Sequence, residues 1–90
     1  MRFVWMGFLK SGQDIDPALQ RQINEFLQQP YLRIGTAGVL RHESGGRAGY
    51  VVIFEAENRA AAEALVASSP VRAAGLYSDF HLFEFQQEIG

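Results

Sequence analysis

No cysteine occurs in the 90 residues. That excludes disulfides, thiolate nucleophiles and thiolate metal sites together, and it suits a reducing, cytoplasmic setting. No apolar run approaches the ~20 residues of a membrane-spanning helix. The longest early run, Phe3 to Leu9, is a strand's length, and no small-residue cleavage site follows it. Positive charge is also short: eight Lys and Arg face ten Asp and Glu, so the net charge is −2. No global basic field would attract a phosphate backbone. Histidine is limited to His42 and His81. Glu43 and Glu84 are each an odd number of residues from the nearer histidine. On straight strands such pairs point to opposite faces, so neither builds a metal site. Ser11, Ser44 and Ser78 fall in expected loops, and no Gly-x-Ser-x-Gly elbow supports a serine nucleophile. These absences lead us to expect no metal, no cofactor, no membrane partner and no nucleic-acid partner.

What is present is apolar and aromatic. Such residues make up 48% and 12% of the chain, enough for a packed core and too much for disorder. A chain this short buries only a little over ~60% of its unfolded surface, so a further source of burial is welcome. We expect one domain over residues 1–90.

Arg2 to Leu9 reads as a first strand, apolar on both faces. Asp16-Pro17 starts a helix, with Asp16 as cap and Pro17 at the first helical position. Leu19, Ile23, Phe26 and Leu27 make its buried stripe, and Pro30 should end it near Gln28. A second strand is expected from Tyr31 or Leu32 to Arg41. Gly35 and Gly38 inside it suggest a bulge or a close approach of another backbone or a ligand. Glu43 to Arg47 is the turn, its paired glycines supplying positive φ. Gly49 to Glu55 is the third strand. Asn58 caps a second helix that runs through Ser68, and Ser69-Pro70 interrupts it. Val71 to Ala74 adds a single turn, with Gly75 just past its end. Asp79 to Gln87 is the fourth strand, with Phe80, Leu82 and Glu84 on one face and His81, Phe83 and Phe85 on the other.

The order β-α-β-β-α-β implies an α+β, ferredoxin-like fold: a four-stranded antiparallel sheet with two helices on one face. The other face would be bare. The first strand divides Phe3, Trp5 and Leu9 from Val4, Met6 and Phe8, and the third divides Tyr50, Val52 and Phe54 from Val51 and Ile53. One helical layer cannot cover both sets, and so large an apolar patch is unusual on a soluble monomer. The simplest cover is a second copy packed sheet to sheet, a homodimer.

The same order occurs in RNA-recognition domains, and Arg47-Ala-Gly-Tyr-Val-Val-Ile-Phe54 echoes one of their motifs. Gly49 and Val51 stand where that motif requires aromatics, and the charge is negative, so RNA is not expected. Gly45-Gly-Arg-Ala-Gly49 joins two strands rather than opening a helix, which makes it a hairpin turn and not a phosphate loop.

Ala37-Gly-Val-Leu40, the glycine turn, Gly49 opening a strand, Arg59-Ala-Ala-Ala-Glu-Ala64, Ser69-Pro70 and Ala74-Gly-Leu76 resemble the YciI-like (YCII-related) proteins. The likeness covers the chain from about Leu32 onward. It implies a dimeric α/β barrel, and for some members small-molecule chemistry by a histidine on the first helix with an acidic partner. Here that histidine would fall near Arg21 or Gln22, and neither is His. Ser69-Pro70 replaces the family's Asp-Pro, and Gly38-Val39 its Gly-Pro.

His81 is therefore the candidate acid or base, because an imidazole held on an apolar face can exchange protons near neutrality. Arg33, Gly38, Arg41, His42 and Ser69 form the candidate ligand-binding set. By simple alternation Arg33 and Arg41 share a face with Gly35, Ala37 and Val39, a groove of small residues between two guanidinium groups that could hold a carboxylate. The alternative is plain packing beneath two extended arginines. The function expected is binding of a small anionic organic molecule, or weak proton-transfer or elimination chemistry on it. The competing expectation is a non-catalytic assembly or regulatory domain.

Overall fold

The computed structural model describes residues 1–10, 15–29 and 33–90. The loop expected at Ser11, the helix stop at Pro30 and a strand start at Tyr31 or Leu32 lie outside them. Among the described residues the elements are β1 (Arg2–Leu9), α1 (Pro17–Leu27), β2 (Arg33–Arg41), β3 (Arg47–Glu55), α2 (Arg59–Ala67), α3 (Pro70–Ala73) and β4 (Tyr77–Glu84). The strands form one antiparallel sheet in the order β2-β3-β1-β4, which is the ferredoxin-like arrangement.

Local chemistry sets the helix ends. Asp16 Oδ1 accepts from the Leu19 amide at 2.7 Å, and Asn58 Oδ1 from the Ala61 amide at 2.8 Å. Ser69 Oγ accepts from the Val71 amide at 3.2 Å, which starts α3 just after α2 has stopped. Each satisfies an amide that has no partner inside its helix. Gly75 follows α3 with φ +71, the left-handed position that closes a helix.

The core lies between the sheet and the helices. Phe3, Trp5, Tyr50, Val52 and Phe54 from the central strands meet Leu19 and Ile23 of α1, Ala62 and Val66 of α2, and Val71 and Tyr77. Phe3 and Phe54 face each other across β1 and β3 with ring centroids 6.0 Å apart. Burying such a ring is worth about 1.5–3 kcal/mol, so the β1–β3 pair anchors the layer.

Two local departures from simple alternation matter. In β2 the register shifts between Ile34 and Thr36, so Gly35 is an extra residue. Ile34 then pairs with Phe54 and Arg33 with Glu55, which puts Arg33 on the face opposite Ala37 and Val39. The groove expected between Arg33 and Arg41 therefore does not form. In β4 the extra residue is Asp79 at φ 51, between the pairs Phe8↔Ser78 and Met6↔His81. The strand begins at Tyr77 rather than Asp79 because pairing with Leu9 extends it. In the hairpin only Gly45 has positive φ; Gly46 does not need it.

Tyr50 is buried beneath this layer, and burial pushes its phenol above the ordinary 10.0; nearby Arg47 opposes the shift and Tyr77 adds to it. Above pH 10 the unfolded chain loses this proton first. The stabilisation is present in full below that pH and is lost as pH rises through the folded value. We expect the alkaline fall in urea stability to be shallower in Tyr50→Phe. Identical slopes for both proteins above pH 10 would rule the effect out.

Candidate functional site

The sheet face away from the helices is open. Cross-strand pairing lays it out in rows. Thr36, Ile53, Val4 and Phe83 form one, and Gly38, Val51, Met6 and His81 the next. Val4, Met6, Val51 and Ile53 are only half-buried, and Phe83 is 52% exposed.

His81 sits at the β4 edge of this face between two rings. Phe83 stacks on the imidazole at 5.9 Å with 6° between planes, and Phe8 meets it edge-on at 6.4 Å. In the single chain His81 is exposed, and no ion pair to a carboxylate reaches it among the described residues. Its burial would require a cover over the open face.

Arg33 and Gly38 are the ligand candidates on that face. Arg33 borders a shallow depression of about 310 Å³ shared with Arg2, Gly35, Ile53 and Glu55, where Arg2 Nε lies 4.0 Å from Glu55 Oε1. β2 and β4 are the two edges of the sheet, so Arg33 and His81 stand three strand spacings apart, roughly 14 Å across. One chain does not bring them together. A side chain added at Gly38 would meet nothing within 4 Å. Among the described residues nothing requires its lack of a Cβ.

The remaining candidates lie elsewhere. Arg41 Nη1 donates to the Gly45 carbonyl at 2.9 Å across the exposed hairpin. His42 is exposed at the same turn, its amide donating to the Gly46 carbonyl. Ser69 is 2% exposed, with its hydroxyl engaged in capping α3. Arg21 and Gln22, where the family resemblance would put a histidine, are exposed on α1. Among the described residues no three His, Asp or Glu side chains gather as metal ligands would, and no helix is long and apolar enough to cross a membrane.

One cleft was not legible in the sequence. Trp5, Arg59, Glu63, Val66, Arg72 and Phe80 surround about 380 Å³ between β4 and the helices, with His81 and Leu82 at its border. The Phe80 ring stacks on Trp5 at 6.1 Å, and the Arg72 guanidinium lies 5.5 Å above Phe80. The Phe-x-Leu alternation of β4 signalled a covered face. Nothing in it signalled that Arg72 would fold back over that face.

No family model matches the chain, and no curated protein matches it. Among solved structures it is similar to 5-chloro-2-hydroxyhydroquinone dehydrochlorinase (TftG) from Burkholderia phenoliruptrix AC1100, in complex with 2,5-dihydroxybenzoquinone. The alignment covers 98% of this chain and 96% of that one, with a TM-score of 0.76. The two chains share one fold. At 20% identity the likeness carries the ferredoxin-like architecture and leaves the chemistry to the side chains.

Proposed function

We propose that residues 1–90 form one YciI-like unit that pairs sheet to sheet with a second copy as a dimeric α/β barrel. The enclosed face holds a small anionic organic molecule, by binding alone or with acid–base chemistry at His81. The observation that carries this reading is the open face itself, with an imidazole bracketed by Phe8 and Phe83 and an unfilled space above Gly38. Covering that face would place His81 in an apolar, water-poor setting, where proton transfer to a bound ligand competes well with transfer to solvent. Arg33 supplies positive charge on the same face. Support from outside the chain is the similar fold of a dehydrochlorinase solved with a small quinone.

A second reading has its own observation. By the family resemblance a histidine would fall near Arg21 or Gln22, neither of which is His, and Ser69 serves as a helix cap. On that reading the chain is an assembly or regulatory domain. Titration with 2,5-dihydroxybenzoquinone separates the two. For a ligand site we expect saturable binding that His81→Ala weakens by about tenfold, the loss of one good polar contact, while the dimer persists. If His81→Phe binds equally well and melts higher, the imidazole has no role and the assembly reading stands.

A further inference from the structure

We propose that the cleft between β4, α2 and α3 is a binding site for a small aromatic monocarboxylate, formed within one chain on the helix-bearing side of the sheet. It lies on the other side of the sheet from the open face, with His81 at the border between the two, and does not depend on the dimer.

Three observations converge there. First, Trp5 is 6% exposed, lines the cleft, and its indole Nε1–H has no acceptor among the described residues. Buried donors are nearly always paired, because an orphaned one forfeits its bond to water without replacement. Second, Arg72 carries a full positive charge at the mouth and has no carboxylate partner among the described residues. The other arginine, Arg59, is held by Glu63, Nε to Oε1 at 3.1 Å. Third, apolar side chains stand among these polar groups: Trp5, Phe80, Val66 and Leu82. The volume, about 380 Å³, lies within the range of ~300–1,000 Å³ typical of small-molecule sites.

The ligand class follows from what is unpaired. One free guanidinium asks for one negative charge, and its fork fits a carboxylate. Glu63 at the rim disfavours a second negative charge. The Phe80 ring has Trp5 on one face and Arg72 over the other, so a ligand ring would take the guanidinium's place over Phe80 as Arg72 turns to the carboxylate, and the Trp5 N–H is the donor such a rearrangement can pair. An aliphatic acid would leave the Phe80 face unused, and a neutral arene would leave Arg72 unpaired.

Trp5 is the sole tryptophan, so a single indole N–H resonance reports on the site. We would titrate the protein with benzoate and with its neutral counterpart benzamide. Benzoate should move that resonance saturably with a dissociation constant of about 1 mM or tighter, and benzamide should bind at least about tenfold more weakly. Arg72→Gln, an exposed position that should melt as the parent does, should lose about tenfold in benzoate affinity. Arg21→Gln, on the far helix, should lose none. Ile53→Asp, which alters only the open face, should retain binding. An unmoved indole resonance, equal affinity for benzoate and benzamide, or undiminished binding by Arg72→Gln would overturn the proposal. Loss of binding in Ile53→Asp would overturn its placement within one chain.

Discussion

Ile53→Asp should give a chain that folds yet sediments near 10.0 kDa, whereas the parent at micromolar concentration should sediment at about twice that mass. Ile53 lies on the open face in central strand β3, with Val4 and Thr36 as its cross-strand neighbours. In a lone chain the new carboxylate can reach water, and the cost is on the scale of a strand-propensity change, up to ~1 kcal/mol. In a sheet-to-sheet dimer each copy would bury an unpaired carboxylate between the sheets. Removing the partner of a buried charge costs about 3–5 kcal/mol, and two copies together should raise the dissociation constant by at least ~10⁴-fold. A parent protein that is monomeric at micromolar concentration sinks the barrel. So does an Ile53→Asp variant that remains dimeric.

Gly49→Ala should be the most damaging single substitution for folding. A Cβ at Gly49 would lie 2.4 Å from the Gly7 carbonyl oxygen and 3.1 Å from Phe8 Cδ1. The first obstacle is main chain of the neighbouring central strand, so no side chain can swing aside. Relief requires β1 and β3 to separate, and these two strands carry Phe3, Trp5, Tyr50, Val52 and Phe54. Overpacking usually costs about 1–3 kcal/mol. Backbone against backbone in the central pair should reach or exceed the top of that range, out of the ~5–15 kcal/mol that holds a typical domain together. The urea midpoint measures it. Gly38→Ala is the internal control, because its added Cβ meets nothing among the described residues. In the Ile53→Asp background it should be neutral or stabilising by up to ~1 kcal/mol. A Gly49→Ala midpoint within error of the parent would show that the close approach has no energetic weight.

The contrast between these two glycines separates what could be read in the sequence from what could not. Both look alike there: a glycine inside a β-branched, apolar stretch. Gly49 is needed because Gly7 passes beside it, and that neighbour is decided by strand order. Arg33 teaches the same lesson. Counting by twos from Arg41 puts it beside Ala37 and Val39, yet one extra residue at Gly35 moves it to the open face.

The sequence by itself determined the elements and the layer plan. Asp16 and Asn58 cap the helices as their chemistry dictates, and β1 runs from Arg2 to Leu9 as its composition implies. The division of Phe3, Trp5, Tyr50, Val52 and Phe54 from Val4, Met6, Val51 and Ile53 announced two apolar faces and one helical layer. Capping and alternation act over two to four residues, so a linear reading reaches them. The glycines of β2 also flagged a bulge or close approach, and only the tertiary structure decided that the bulge falls at Gly35, together with the bulge at Asp79, the rings around His81, and the cleft of Trp5, Arg72 and Phe80. Those depend on β4 returning beside β1 and on α3 folding over the edge strand. The contacts that favour such arrangements join residues dozens of positions apart, and a single added residue in either strand reverses which side chains meet.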